Sequence, residues 1–146
     1  EAEIMQQKHD LIKLAFADEF SRPVEEAAFE KVVDIGCGPM AWSIDYAESH
    51  PHVQVYGMDA VDMTDGTRRR PNNCQLILHD CRQPLPFPDN GVDLFFIRNM
   101  NVSWTRDEYK QALSHCWRAL KPGGYLELME MDMLAHNTGP MTQVLN

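Results

Sequence analysis

The residues best suited to chemistry in this chain stand in clusters, and each cluster follows an apolar run that stops abruptly. The first is Asp34, Gly36, Cys37 and Gly38. Missing side chains at the glycines let backbone approach a ligand closely, and a helix starting behind them would aim its N-terminal N–H groups at it. The second is Asp59 with Ala60. This acid follows Gly36 at close to the ~20 residues expected of a carboxylate that binds ribose hydroxyls. Asp80 and Cys81 form the third cluster, with the acid placed to accept from an adenine amino group, and Arg98 with Asn99 forms the fourth. Successive run ends that all carry small or polar residues are a stronger signal than any one of them.

The elements that must position these clusters alternate along the chain. Ile4 to Phe16 carries Leu11, Ile12, Leu14, Ala15 and Phe16 at roughly helical spacing, and Glu25 to Phe29 predicts a second short helix. Lys31 to Ile35 reads as a buried strand entering the turn Gly36-Cys-Gly-Pro39. Met40 to His50 returns to helical spacing, with Trp42, Ile44, Tyr46 and Ala47 on its packed side. Val53 to Met58 and Gln75 to Leu78 are the next strands, separated by the polar stretch from Asp59 to Cys74. Val92 to Ile97 is a fourth strand, Arg106 to Leu120 an amphipathic helix, and Gly124 to Met129 a fifth strand. This order predicts an α/β, doubly wound, mostly parallel sheet with helices on both faces. Ligands of such sheets sit beyond the carboxyl ends of the strands, where the strand order reverses.

Composition bounds the reading. At 146 residues, 44% hydrophobic and 24% charged, the chain is expected to form one hydrophobic core. No apolar run reaches the ~18 residues of a membrane span, and a net charge of -9 disfavours a nucleic-acid backbone as partner. The four cysteines lack any CxxC pair, so reduced thiols in the cytoplasm or nucleus are expected. No Cys/His cluster has metal-ligand spacing, and no metal is expected. The first residue is Glu1, as in a processed or trimmed chain.

Two cofactor classes fit the glycine turn. Gly36-x-Gly38-x-x-Ala41 satisfies a dinucleotide fingerprint with Ala in its last position. Asp34, however, is an anion just before the glycines, unfavourable beside a pyrophosphate and favourable beside a cationic amino acid or sulfonium.

With these residues the chain resembles the class I S-adenosylmethionine-dependent methyltransferases. Val32-Val-Asp-Ile-Gly-Cys-Gly38 is similar to that family's first motif, and Val55-Tyr-Gly-Met-Asp59 to its second. His79-Asp-Cys81, with the segment from Leu85 to Leu94, resembles the adenine-side acid and the approach to the fourth strand. Arg118-Ala-Leu-Lys-Pro-Gly-Gly-Tyr-Leu-Glu127 is similar to the family's helix, turn and fifth strand. Gln6-Gln-Lys-His9, Ala41 to Ala47 and Ile97-Arg-Asn99 further resemble the fungal LaeA-like subgroup. The resemblance implies a Rossmann-like fold, S-adenosyl-L-methionine as cofactor and transfer of its methyl group to a small-molecule or protein acceptor, with a role in fungal secondary metabolism or its regulation. The alternative it leaves is a non-catalytic, methyltransferase-like regulatory subunit. It also implies a helical segment over residues 1–30 covering the cofactor site and a cofactor-binding domain over residues 31–146 that is incomplete at its C-terminal end. The edge of a strand over residues 125–131 is then expected to pair with a following segment or a partner chain.

The remaining residues receive plainer expectations. Met40 stands where the family has a third glycine, so the turn either differs in shape or tolerates a side chain that shields the cofactor's methionine end. Cys37 and Cys81 are expected as wall residues, and Arg68-Arg-Arg70 as a solvated loop face. Trp42 and Trp117 are expected in the core, while Trp104 is an even choice between core and the mouth of the site. Lys121-Pro-Gly-Gly124 is a helix stop and turn. No general base is assigned; His9 and His136 qualify by side-chain type alone.

Overall fold

The structure is a computed structural model, and it describes residues 2–16, 28–132 and 136. Its elements, in chain order, are α1 (Ala2–Phe16), β1 (Lys31–Ile35), α2 (Ala41–Ser49), β2 (Gln54–Asp59), β3 (Cys74–Leu78), β4 (Val92–Arg98), a 3-10 turn (Met100–Val102), α3 (Arg106–Ala119) and β5 (Leu120–Met129). The expected helix from Glu25 falls mostly outside the described residues.

The strands form one sheet of order β3-β2-β1-β4-β5, parallel throughout. Strand order reverses between β1 and β4, which puts the crevice at Gly36 on one side and Arg98 on the other. Along β1, and along β4 from Leu94 onward, successive side chains alternate between two apolar layers. Val32, Leu94 and Phe96 join Trp42, Ile44 and Tyr46 of α2, while Val33, Ile35, Phe95 and Ile97 join Cys116 and Ala119 of α3. Both faces are therefore covered, as the alternation predicts, and a parallel sheet buried on both faces is read from unbroken apolar runs rather than from alternation.

α3 starts with a capping box. Thr105 accepts the backbone N–H of Glu108, and the Glu108 side chain accepts the N–H of Thr105. Its buried stripe is Ala112, Cys116 and Ala119. Trp117 is turned away from that stripe and is 78% exposed, which corrects its expected place in the core. Trp42, by contrast, stacks on Phe96 with ring centroids 4.0 Å apart.

The turn Lys121-Pro-Gly-Gly124 lies inside β5, at a register irregularity opposite Asp93. A Cβ at Gly124 would come within 2.9 Å of the Asp93 carbonyl, so glycine is needed for close approach. The Asp93 carboxylate accepts the N–H groups of Glu30 and Lys31 at 2.9 and 2.8 Å and pairs with Lys121 Nζ at 2.8 Å. One acid thus ties the entry of β1, the start of β4 and the β5 turn together.

Candidate active site at the switch point

Gly36 and Gly38 adopt left-handed φ values of 68° and 53°, which side chains other than glycine's resist. A Cβ at Gly36 would overlap the Met100 thioether, and one at Gly38 would lie 3.3 Å from Met5 Sδ. The turn is therefore packed from the α1 side by Met5 and from the β4 side by Met100. Met40 keeps the third left-handed position, at φ 65°, but its side chain is fully buried in the α2 layer. Met40 thus takes a backbone conformation that ordinarily favours glycine while its side chain packs in the core, which corrects the expectation that it shields a cofactor.

The amide groups of this turn are spent inside the protein. Gly36 and Cys37 donate to the Met58 carbonyl at 2.8 and 3.0 Å, and Met40 donates to the Cys37 carbonyl at 3.0 Å. Gly38 donates to Asp59 Oδ2 at 2.9 Å. The start of α2 is likewise met by a protein anion, because Asp34 accepts the Ser43 hydroxyl at 2.6 Å together with a Ser43 backbone bond. Burial raises the Asp34 carboxyl to about 6, against the pull of Ser43 and of the Arg98 charge. At the turn itself a pyrophosphate would meet amides already bonded within the protein and the carboxylates of Asp34 and Asp59.

The other expected residues are brought to the same end of the sheet. Asp59 also accepts the Val61 N–H at 3.2 Å, so Asp59 and Ala60 form a tight exit from β2. Asp80 is gripped by Arg82, whose Nε and Nη2 reach its two oxygens at 2.9 and 3.0 Å. Arg82 Nη1 also reaches Glu108 of α3 at 2.6 Å. These bonds hold the Asp80 carboxyl below its ordinary range. Cys37 and Cys81 are buried, and burial pushes the Cys81 thiol up to about 12 and Cys37 well above its usual value. A thiol kept protonated by burial in this way is a poor nucleophile. Asn99 is left-handed at φ 58° and donates its N–H to Met129.

Arg98 is half-buried beside this turn, 5.8 Å over the Phe96 ring, and meets His9 Nδ1 at 3.0 Å. His9 Nε2 meets Asp45 Oδ2 at 2.9 Å, and Lys13 reaches the same oxygen at 2.7 Å. Arg68 pairs with the other Asp45 oxygen and with Glu48 at 3.2 Å, which corrects its expected place on a solvated loop face. Sequence spacing could not find His9 or Arg82, whose partners are set by tertiary packing. The cue available was a histidine on a helix face otherwise rich in Gln, Lys and Asp.

His9 is fully buried with both ring nitrogens engaged, so it is not free to take a proton from an acceptor. His136 meets Asp132 at 2.6 Å. Trp104 is half-buried edge-on to Tyr109, 5.7 Å between centroids, and with Asn101, Arg106 and Lys110 it lines a recess of about 420 Å³. Beneath it Glu130 accepts the Tyr109 hydroxyl at 2.6 Å and the N–H groups of Met100 and Asn101 at 3.2 Å. Among the described residues no group of three His, Cys, Asp or Glu is placed to hold a metal ion, and no helix is long and apolar enough to cross a membrane.

Comparison with known proteins places this geometry. The chain is 34% identical over 109 residues to demethylmenaquinone methyltransferase of Listeria welshimeri, covering 68% of this chain and 44% of that protein. It is 30% identical over 115 residues to the secondary metabolism regulator LAE1 of Cochliobolus heterostrophus, covering 76% of this chain and 36% of that one. The matches thus span less than half of each relative's length. The solved PH0226 protein of Pyrococcus horikoshii superposes with a TM-score of 0.64 at 22% identity, over 86% of this chain and 57% of that one. A glycine turn guarded by carboxylates at the switch point of this sheet marks a Rossmann-like class I methyltransferase. The chain belongs to the family described as "Methyltransferase domain", whose model matches residues 32–124, and within it resembles the LaeA-type regulators.

Proposed function

We propose that this domain binds S-adenosyl-L-methionine and transfers its methyl group to an acceptor that completes the site. The observation that carries the reading is the spending of every turn amide on the protein's own acceptors, together with Asp34 at the start of α2. That donor set suits a cationic amino-acid cofactor and repels a diphosphate. Asp59 would bind the ribose hydroxyls with the oxygen capacity left after Gly38 and Val61. Asp80, held by Arg82, would accept from the adenine amino group, with Cys81 as wall. Asp34 would face the cationic end from beneath the glycines, and α1 would cover it through Met5.

When bound, this cofactor supplies a methyl group on a positively charged sulfur that departs as a neutral thioether. The chain's own task is then alignment and exclusion of water, for which a packed turn and a covering helix are suited. A neutral acceptor must also lose a proton, and no described residue is assigned that task. The edge of β5 would take a following strand or a partner chain, and that addition would bring the rest of the acceptor pocket.

The test is calorimetry of S-adenosylmethionine, S-adenosylhomocysteine and NAD against the same chain. Binding of the first two without NAD supports the reading; NAD binding alone would overturn it. The likeness to a named regulator favours a second reading, a non-catalytic subunit, which acceptor-dependent formation of S-adenosylhomocysteine would exclude.

A further inference from the structure

We propose that Arg98 binds the carboxylate of the cofactor's amino-acid end and that His9 is the positioning residue that aims it. The inference rests on the cofactor assignment made above. Arg98 stands one residue past the Ile35–Ile97 pair, level with Gly36, and on the sheet face of Phe96 and Asp34. An acid under the turn and a guanidinium beside it form a pair of opposite charges across the crevice, the complement of an α-amino-acid zwitterion. A guanidinium has five N–H donors. Among the described residues Arg98 directs a side-chain hydrogen bond only to His9. A half-buried cation with most of its donors uncommitted at a strand end is a prepared anion site, and Arg presents those donors as a fork matched to carboxylate.

His9 decides how that fork is held. Arg98 cannot accept a proton, so the contact requires His9 Nδ1 to be the acceptor and Nε2 to carry the hydrogen. Nε2–H then donates to Asp45, whose carboxylate is in turn fixed by Lys13 and Arg68. The chain Asp45–His9–Arg98 runs from α2 through the only fully buried polar side chain among the described residues of α1 to the end of β4. α1 therefore does more than cover the site: it sets the direction of the group that reads the cofactor's charge. Both nitrogens of His9 are used in this relay, which is why a histidine rather than an apolar residue is buried there.

Two ligands separate positioning from general support. S-adenosylhomocysteine carries the amino-acid carboxylate; 5′-methylthioadenosine has the same nucleoside and a thioether but no amino acid. Their affinities are measured by calorimetry on the full chain and on Arg98→Gln, His9→Ala and His9→Gln, with thermal unfolding of each variant as the check on folding. Arg98→Gln should weaken S-adenosylhomocysteine by about tenfold or more and methylthioadenosine by less than about twofold, as expected of a lost charge-assisted contact. His9→Ala should give the same selective loss, about five- to tenfold, and His9→Gln, which keeps an acceptor and a donor, should recover part of it. Equal weakening of both ligands by His9→Ala would overturn the positioning role and leave α1 a structural cover. Unchanged S-adenosylhomocysteine affinity in Arg98→Gln would overturn the carboxylate assignment while leaving the cofactor reading intact. Absence of binding of either ligand to the unsubstituted chain would overturn both.

Discussion

The carboxylate of Asp59 holds the backbone N–H of Gly38 at 2.9 Å, so the acid at the end of β2 shapes the very turn that it would help to close around a ligand. Asp59→Ala removes that brace and the oxygen available to a ribose together. The expected result is a loss of roughly 1.5–3 kcal/mol in S-adenosylmethionine affinity, the range of charge-assisted hydrogen bonds. Calorimetry checks it, and a folded variant of unchanged affinity would end the ribose assignment.

Asp80 differs because Arg82 already occupies part of both its oxygens. Asp80→Asn keeps one acceptor for an adenine amino group and should lose less affinity than Asp80→Ala, for which about 1–2 kcal/mol is expected. Arg82→Ala should fall between wild type and Asp80→Ala, since it frees the carboxylate without removing it. Identical adenosine-ligand affinities in all four proteins would show that adenine is held elsewhere.

Sequence carried the sheet and the site to different depths. Each strand of the sheet was legible because a doubly covered parallel strand is a short apolar run, and glycine or aspartate ends or closely follows the first three. The acids at 34, 59 and 80 were legible for the same reason, since strand ends converge on one rim whatever the side chains do. Arg82, His9 and Arg68 were not, because the partners that define them lie 26, 89 and 23 positions away or belong to other elements. Trp117 was misplaced on residue type; on α3 it follows Cys116 by ~100° of rotation, which carries it past the edge of the buried stripe.

Met40 tests how far the left-handed turn is tolerated. Met40→Gly would relieve about 1 kcal/mol of backbone strain but empty a fully buried side chain, a loss of roughly 2–5 kcal/mol for Met-to-Ala changes in cores. The cavity term wins, so urea unfolding should report net destabilisation of about 1–4 kcal/mol. A more stable Met40→Gly variant would mean that the thioether contributes little packing there.

The edge of β5 gives a prediction about assembly. Among the described residues β5 pairs only with β4, and Leu126 and Leu128 are 37% and 46% exposed. Bare strand edges with apolar side chains are usually covered. Amide exchange on residues 1–146 should therefore be markedly faster across Tyr125 to Met131 than across β1. Strong protection along both sides of that strand in a monomer would refute the need for a partner segment.

Asp34 links stability to function through pH. Its carboxyl titrates near about 6 in the fold against an ordinary 3.8, chiefly because burial disfavours the charge. Between those values the folded chain holds more protons than the unfolded chain, so the stability associated with this group is present below the unfolded value and is lost as pH rises through the folded one. Above that window the fold carries a buried anion at a cost of up to about 3 kcal/mol. Asp34→Asn keeps an acceptor for Ser43 and sheds the charge, so it should raise stability at pH 7.5 and converge on wild type near pH 4. The same substitution should weaken S-adenosylmethionine, because the anion that destabilises the empty fold is the one that would favour a cationic ligand. Urea unfolding at both pH values, beside calorimetry at pH 7.5, checks the pair; a destabilised Asp34→Asn at pH 7.5 would show that the carboxylate's own hydrogen bonds outweigh its burial.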